Sequence, residues 1–213
     1  MTDTQAKRRV FFLANPNPPY GTCYSTNEIE SFANRLQNTL IVLDEAYIDF
    51  AEADGRPLLD RCPNILISRT FSKSFSLAGM RLGWGMGNVD VIATLSKVKD
   101  SYNLDRLQQV AGAAALEAAD DWREANEMIK NQRDRVAETL RNLGFDVPES
   151  GGNFLFPRNG PIPAERYFRE LRERNILVRY FSIAELNNGV RVTIGTPQQM
   201  DRFLETSKEI LSS

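Results

Sequence analysis

Lys73 stands in the segment Ser68-Arg69-Thr70-Phe71-Ser72-Lys73-Ser74-Phe75-Ser76, with Arg81 eight residues further on. A primary amine flanked by hydroxyls and followed by an arginine suits a cofactor that carries both an aldehyde and a phosphate. The amine can form an imine with the aldehyde, while Ser72 and Arg81 hold the phosphate by charge-assisted hydrogen bonds. Taken alone, such a lysine is ordinarily a solvated surface residue; here the neighbouring hydroxyls and Arg81 favour chemistry. Asp44, at the end of the apolar run Leu40 to Leu43, is a second candidate. A carboxylate set against a pyridine nitrogen keeps it protonated, so that the ring withdraws electrons from a substrate carbon. Tyr47, three residues on, offers a phenol to a ring hydroxylate. The plainer reading of Asp44-Glu45 is a cap on the turn after the strand.

Composition narrows the alternatives. The chain has 213 residues, 42% hydrophobic and 25% charged, with a net charge of −2. That is an ordinary globular balance with length enough for a sizeable core, and it advertises no basic surface for nucleic acid or anionic membranes. Histidine is absent, which excludes Ser-His-Asp and Cys-His systems within the chain. Cys23 and Cys62 alone cannot build a zinc site, so no metal is expected. Acid–base work must come from Lys, Tyr, Asp or Glu, or from a bound cofactor. The stretch MTDTQAKRRV has no apolar core for a signal peptide, no run is long enough to span a bilayer, and unpaired cysteines suit a reduced, cytoplasmic protein.

The elements that must position these residues read as α/β and then α+β. Val10 to Ala14, Leu40 to Leu43 and Ile65 to Ser68 read as buried strands, with Leu82 to Met86 as a fourth. Asn15 to Gly21 (NPNPPYG) is turn chemistry, its three prolines denying a helix. Ser25 to Glu28 offers an N-cap for a helix through about Leu36. Strand, helix, strand at this spacing predicts a mostly parallel sheet covered by helices, with functional groups gathered beyond the strands' carboxyl ends. Asn17, Asp44 and Lys73 all follow predicted strands. Helices are expected over Leu107 to Ala119, Trp122 to Leu143 (stopped by Gly144), Ala164 to Arg174 and Pro197 to Leu211. Short strands are expected over Phe145 to Phe156, Ile176 to Val178 and Val190 to Ile194. A domain boundary near Asp120–Asp121 gives a larger domain over 1–120 and a smaller one over 121–213.

Leu43-Asp44-Glu45-Ala46 also resembles the magnesium-binding box of nucleotide-driven helicases. That reading requires a G-x-x-x-x-G-K-[ST] loop, which the chain lacks. In this order, NPNPPYGT, VLDEAYIDF, SRTFSKSFSLAGMRLGW and VRVTIGT resemble the aspartate aminotransferase superfamily (fold type I), with the histidinol-phosphate aminotransferases as the nearest branch. The similarity runs from about Val10 to the C-terminus. It implies pyridoxal 5'-phosphate as cofactor and a three-layer, mostly parallel large domain followed by a smaller α+β domain. It implies a homodimer acting on a small-molecule amino donor and a 2-oxo acid. Residue by residue, it implies Lys73 as the imine lysine, Asp44 as partner of the pyridine nitrogen, and Tyr47 as ligand of the ring hydroxyl. It further implies Ser72 and Arg81 on the phosphate and Arg191 as the clamp on the substrate's anionic group, with Arg179 as a second substrate-facing arginine.

Two departures stand out. The family's asparagine before Pro-x-Gly is here Pro18, so Asn17 is the candidate substitute one position early. Complete members also carry a long N-terminal part with a phosphate-binding helix start and a stacking aromatic, none of which occurs in Met1 to Lys7. The chain is therefore expected to be a fragment, inactive and weak in cofactor binding by itself. Decarboxylation on the same fold and a non-catalytic dimerising remnant are the alternatives.

Overall fold

The computed structural model describes residues 9–52 and 54–212; the expectations placed on Met1 to Lys7 lie outside them. The described chain divides into two compact units. The first comprises the chain up to Pro16 together with Cys23–Arg123, and the second comprises Asn17–Thr22 and Glu124–Ser213.

In the first unit β1 (Arg9–Ala14), β2 (Thr39–Asp44), β3 (Ile65–Thr70) and β4 (Gly83–Gly87) form one sheet in that order. β1, β2 and β3 run parallel and β4 closes the far edge antiparallel to β3. Ile41 pairs with Ile65 and Leu43 with Ile67, and these side chains pack on Ile29 and Ala33 of α1 (Thr26–Arg35) with Leu58 and Cys62. Ile29 and Ala33 are one helical turn apart and so share a face. Ser25 caps α1 as its sequence predicts: its hydroxyl accepts from Glu28 N, and the Glu28 carboxylate accepts from Ser25 N.

β1 corrects the sequence reading. It forms, but it is not buried: Val10 is 57% and Phe12 73% exposed. A continuous apolar run predicts a strand covered on both faces, whereas among the described residues β1 is an edge strand paired with β2 alone. The helix α2 (Val89–Val98), capped by Asn88 onto Asp90 N, was not anticipated, although Val91, Ile92, Leu95 and Val98 recur at helical spacing; none of its residues is buried. α3 (Arg106–Glu117) and α4 (Ala119–Asn142) follow.

The two units divide between Arg123 and Glu124, inside α4, where an unbroken helix leaves no linker composition to read. The second unit is built on Val136 and Leu140 of α4, Tyr167 and Leu171 of α5 (Ala164–Glu173), and Phe203 and Leu204 of α6 (Pro197–Leu211). Three short antiparallel strands, β5 (Phe154–Leu155), β7 (Val190–Thr193) and β6 (Arg179–Tyr180), lie in that order. The strand expected over Phe145 to Phe156 reduces to β5 and one bridge between Asp146 and Arg158, because Pro148 and Gly151-Gly152 interrupt any ladder. Ile176 to Val178 is not a strand. Ile176 and Val178 pack against the core instead, and the ladder begins at Arg179. Gly144 does end α4, at φ +92°. Thr196 caps α6 with a box to Gln199.

Asn64 ties the first sheet to its helix. Its side-chain amide donates towards the carbonyls of Ala33, Leu36 and Thr39 at 3.1, 3.2 and 3.2 Å, joining the end of α1 to the start of β2. Asn64→Ala should lower stability by about 1 kcal/mol, the net worth of a lost hydrogen bond, as read by urea denaturation.

Candidate active site

β2 and β3 end side by side, and their register sets Asp44 opposite Ser68. Asp44 is half-buried; its Oδ1 accepts from Ala46 N at 3.0 Å, so it does cap the following turn. Its Oδ2 has no hydrogen bond among the described residues, which leaves one oxygen for a ligand. The chain then enters a short helical turn over Ile48–Phe50, which carries half-buried Tyr47 at its start. From the loop that follows β3, Lys73 brings its Nζ to 5.2 Å from the centre of the Tyr47 ring. No carboxylate pairs with that ammonium among the described residues.

The loop holding Lys73 is closed on itself. Phe71 N donates to Leu82 O at 3.0 Å and Leu77 N to Phe71 O at 3.0 Å, so the backbone of Ser72 is brought beside that of Arg81. Ser72 N is held by Thr70 Oγ1 at 3.0 Å. Arg81 adopts left-handed backbone, φ +51°, and among the described residues its exposed guanidinium donates to Ala78 O alone, at 3.1 Å. Beneath this loop Phe71 and Phe75 pack on Trp84.

The residue after Asp44 has a different environment. The Glu45 side chain is fully enclosed. Its Oε2 accepts from Arg69 Nε and Nη2 at 2.9 and 2.7 Å, and its Oε1 accepts from Gly55 N at 2.7 Å. Arg69 also reaches Asp54 Oδ1 at 2.8 Å. Burial pushes the Glu45 carboxyl above its ordinary value, and the attraction and hydrogen bonds of Arg69 pull it back only in part. Ser74, beside Lys73, is buried and donates to Asp49 Oδ2.

Asn17 lies in the second unit, its N–H bonded to Thr22 O at 2.8 Å and its carbonyl accepting from Gly21 N at 2.7 Å. Asn15, at the start of this proline segment, is buried, and its side chain clasps both backbone groups of Tyr24 at 2.7 and 3.1 Å. Arg179 and Arg191 face each other across the β6–β7 pair. Their guanidinium groups sit over Phe181 and Phe154, each 5.5 Å from the ring centre, with no carboxylate bound to either among the described residues. Two cations directly opposite on a strand pair repel, an arrangement that an anion would relieve. The structure thus gathers Asp44, Tyr47, Ser72, Lys73 and Arg81 in one unit, and Asn17, Arg179 and Arg191 in the other.

Residues 2–206 match the family described as aminotransferase class I and II. The chain belongs to that family. It is 45% identical over 202 residues to histidinol-phosphate aminotransferase of Syntrophotalea carbinolica, covering 95% of this chain and 58% of the relative. The chain therefore spans somewhat more than half the length of the curated relatives it matches. Among solved structures, histidinol-phosphate aminotransferase from Sinorhizobium meliloti, in complex with pyridoxal-5'-phosphate, aligns with TM-score 0.84 at 28% identity over 95% of this chain and 57% of its own. L-threonine-O-3-phosphate decarboxylase from Porphyromonas gingivalis shares the fold, with TM-score 0.83 at 23% identity over 96% of this chain and 65% of its own. The α/β sheet followed by a smaller α+β unit is thus the C-terminal part of the aminotransferase fold.

Sequence reasoning passed over the Glu45–Arg69 pair and the Ser74–Asp49 bond. The partners lie far apart along the chain, and the one signal was an acidic residue at a buried strand end matched to an arginine on the next strand. The pair has a pH signature. Folded Glu45 holds its proton more tightly than in the unfolded chain, where its pKa is near 4.5. Its contribution to stability is therefore full below that value and is lost as pH rises through the raised one. Arg69, Asp54 and Arg56 are the charged groups acting on Glu45, and the arginines stay cationic throughout. Denaturant titrations from pH 4.5 upward should show the wild type losing stability relative to Glu45→Gln; a gain would reverse the assigned sign.

Proposed function

We propose that the chain is the C-terminal part of a pyridoxal-phosphate-dependent transaminase of the histidinol-phosphate aminotransferase kind. It moves an amino group between an amino acid or amino alcohol phosphate and a 2-oxo acid, in a cytoplasmic homodimer. The observation that carries this reading is a half-buried lysine amine with no acidic partner among the described residues, 5.2 Å from the Tyr47 ring, in the loop that follows the strand paired with that of an aspartate whose second oxygen accepts no hydrogen bond among them. The donor set fits the cofactor: an amine for an aldehyde, a carboxylate for a ring nitrogen, a phenol for a ring hydroxyl, and a hydroxyl with a guanidinium for a phosphate.

Pyridoxal phosphate, when bound, supplies an aldehyde that exchanges amines and a pyridine ring that draws electrons from the substrate's α-carbon. Lys73 holds the aldehyde carbon. Asp44 Oδ2 keeps a proton on the ring nitrogen while Oδ1 remains fixed by Ala46 N. Tyr47 donates to the ring hydroxyl, with Asn17 as a second ligand there. Ser72 and Arg81 hold the phosphate, Arg81 as a charged fork. Arg191 binds the substrate's anionic group bidentately, with Arg179 beside it on the neighbouring strand. The uncovered apolar edge strand β1 supports the view that this activity belongs to a longer polypeptide, and that the chain alone binds cofactor weakly and turns over no donor.

The test is 2-oxo acid formation from amino donors by the longer polypeptide, with carbon dioxide measured in parallel; carbon dioxide as the main product would mean decarboxylation instead. Asp44→Ala should lower kcat by about a hundredfold or more, because a charge facing the ring is worth several kcal/mol in a desolvated site. A kcat within a few-fold of wild type would leave Asp44 as a turn cap only. Arg191→Lys keeps the charge but loses the fork, and should raise KM with a smaller effect on kcat. An unchanged KM for every donor would move the clamp to Arg179 or elsewhere.

A further inference from the structure

We infer that Glu45 is a positioning residue: its enclosed carboxylate, holding Arg69 and Gly55, fixes the spacing between Asp44 and Lys73. This rests on the proposed function and adds to it a residue that is not expected to touch cofactor or substrate.

The geometry is a double tie between two segments. Asp44, Glu45, Tyr47 and Asp49 lie on one; Ser68, Arg69, Lys73 and Ser74 lie on the other. At the near end Glu45 N donates to Ser68 O at 2.9 Å, and the Glu45 carboxylate takes two N–H groups of Arg69. At the far end Ser74 donates to Asp49. Lys73 and Tyr47 lie between the ties. Glu45 immediately follows Asp44, and Ser74 immediately follows Lys73, so each presumed site residue is braced by its neighbour.

The seat of Glu45 is built to closeness. A Cβ added at Gly55 would collide with Glu45 Oε1 and come within 2.6 Å of Leu43 Cδ2, so only glycine lets that N–H reach the carboxylate. A buried ion pair of this kind contributes little net stability, since desolvating the charges offsets their attraction; the raised Glu45 carboxyl agrees. Fixed geometry is what such a pair supplies, and sites depend on supporting groups of this sort.

The chain itself serves for the test, comparing wild type with Glu45→Gln, Arg69→Lys and Gly55→Ala. Two measurements are made: amide hydrogen exchange without cofactor, and the absorbance band from titration with pyridoxal phosphate, with Lys73→Ala as the blank. In each variant the Ala46 and Ser72 amides, bonded to the Asp44 side chain and to Thr70, should exchange about tenfold faster. The Leu43 and Ile67 amides in the strand core should be unchanged. The half-saturating cofactor concentration should rise about tenfold, the order expected when bound geometry slips by a fraction of an ångström. Faster exchange throughout the unit would make Glu45 a general structural residue and overturn the inference. So would local loosening with unchanged cofactor binding. A wild-type band that survives in Lys73→Ala would instead contradict the proposed function, and the role of Glu45 would fall with it.

Discussion

The parallel register of β2 on β3 is the constraint on which the first unit depends. It places Ile41 and Leu43 level with Ile65 and Ile67 against α1, and the same register places Asp44 level with Ser68. A slip of one residue would turn every inward side chain outward. It would also carry Asp44 away from the strand end that leads to Lys73. Packing and chemistry are thus set by one alignment, and the apolar side chains that enforce it lie on the side of the sheet that α1 covers.

Adjacent carboxylates take opposite tasks because a strand turns successive side chains to opposite faces. Asp44 stays half-buried with one oxygen committed to a turn and the other open. Glu45 points into the unit, where Arg69 and a glycine amide make its charge tolerable. The environment separates them, since both are ordinary acidic residues by type.

The sequence spoke clearly where the signal was local. Ser25 to Glu28 marks the helix start that the structure has, and Gly144 marks an end. The segment around Lys73 was specific enough to name a family that residues 2–206 match. Exposure was less legible: Val10-Phe11-Phe12 is as apolar as a central strand, yet β1 is an edge, and composition does not say what lies beside a strand. Pairings between distant segments were also hidden. Nothing near Glu45 announces Arg69, and nothing in the proline segment announces that Asn17–Thr22 packs with residues beyond Glu124, through Gly151 N on Gly21 O and the Tyr20 ring on Phe156.

The central claim is that Lys73, among the chain's lysines, is the one made to hold an aldehyde cofactor. Lys97, Lys99, Lys130 and Lys208 lie on helices or at a helix end, and Lys130 is paired with Glu127. Lys73 alone among these five follows the strand that Asp44 adjoins. Borohydride reduction of the longer polypeptide equilibrated with pyridoxal phosphate, followed by peptide mass mapping, measures this directly. The account predicts the pyridoxyl adduct on the peptide containing Lys73 at cofactor concentrations that leave the other lysines unmodified. An adduct spread evenly over the lysines, or confined to those other than Lys73, would contradict it.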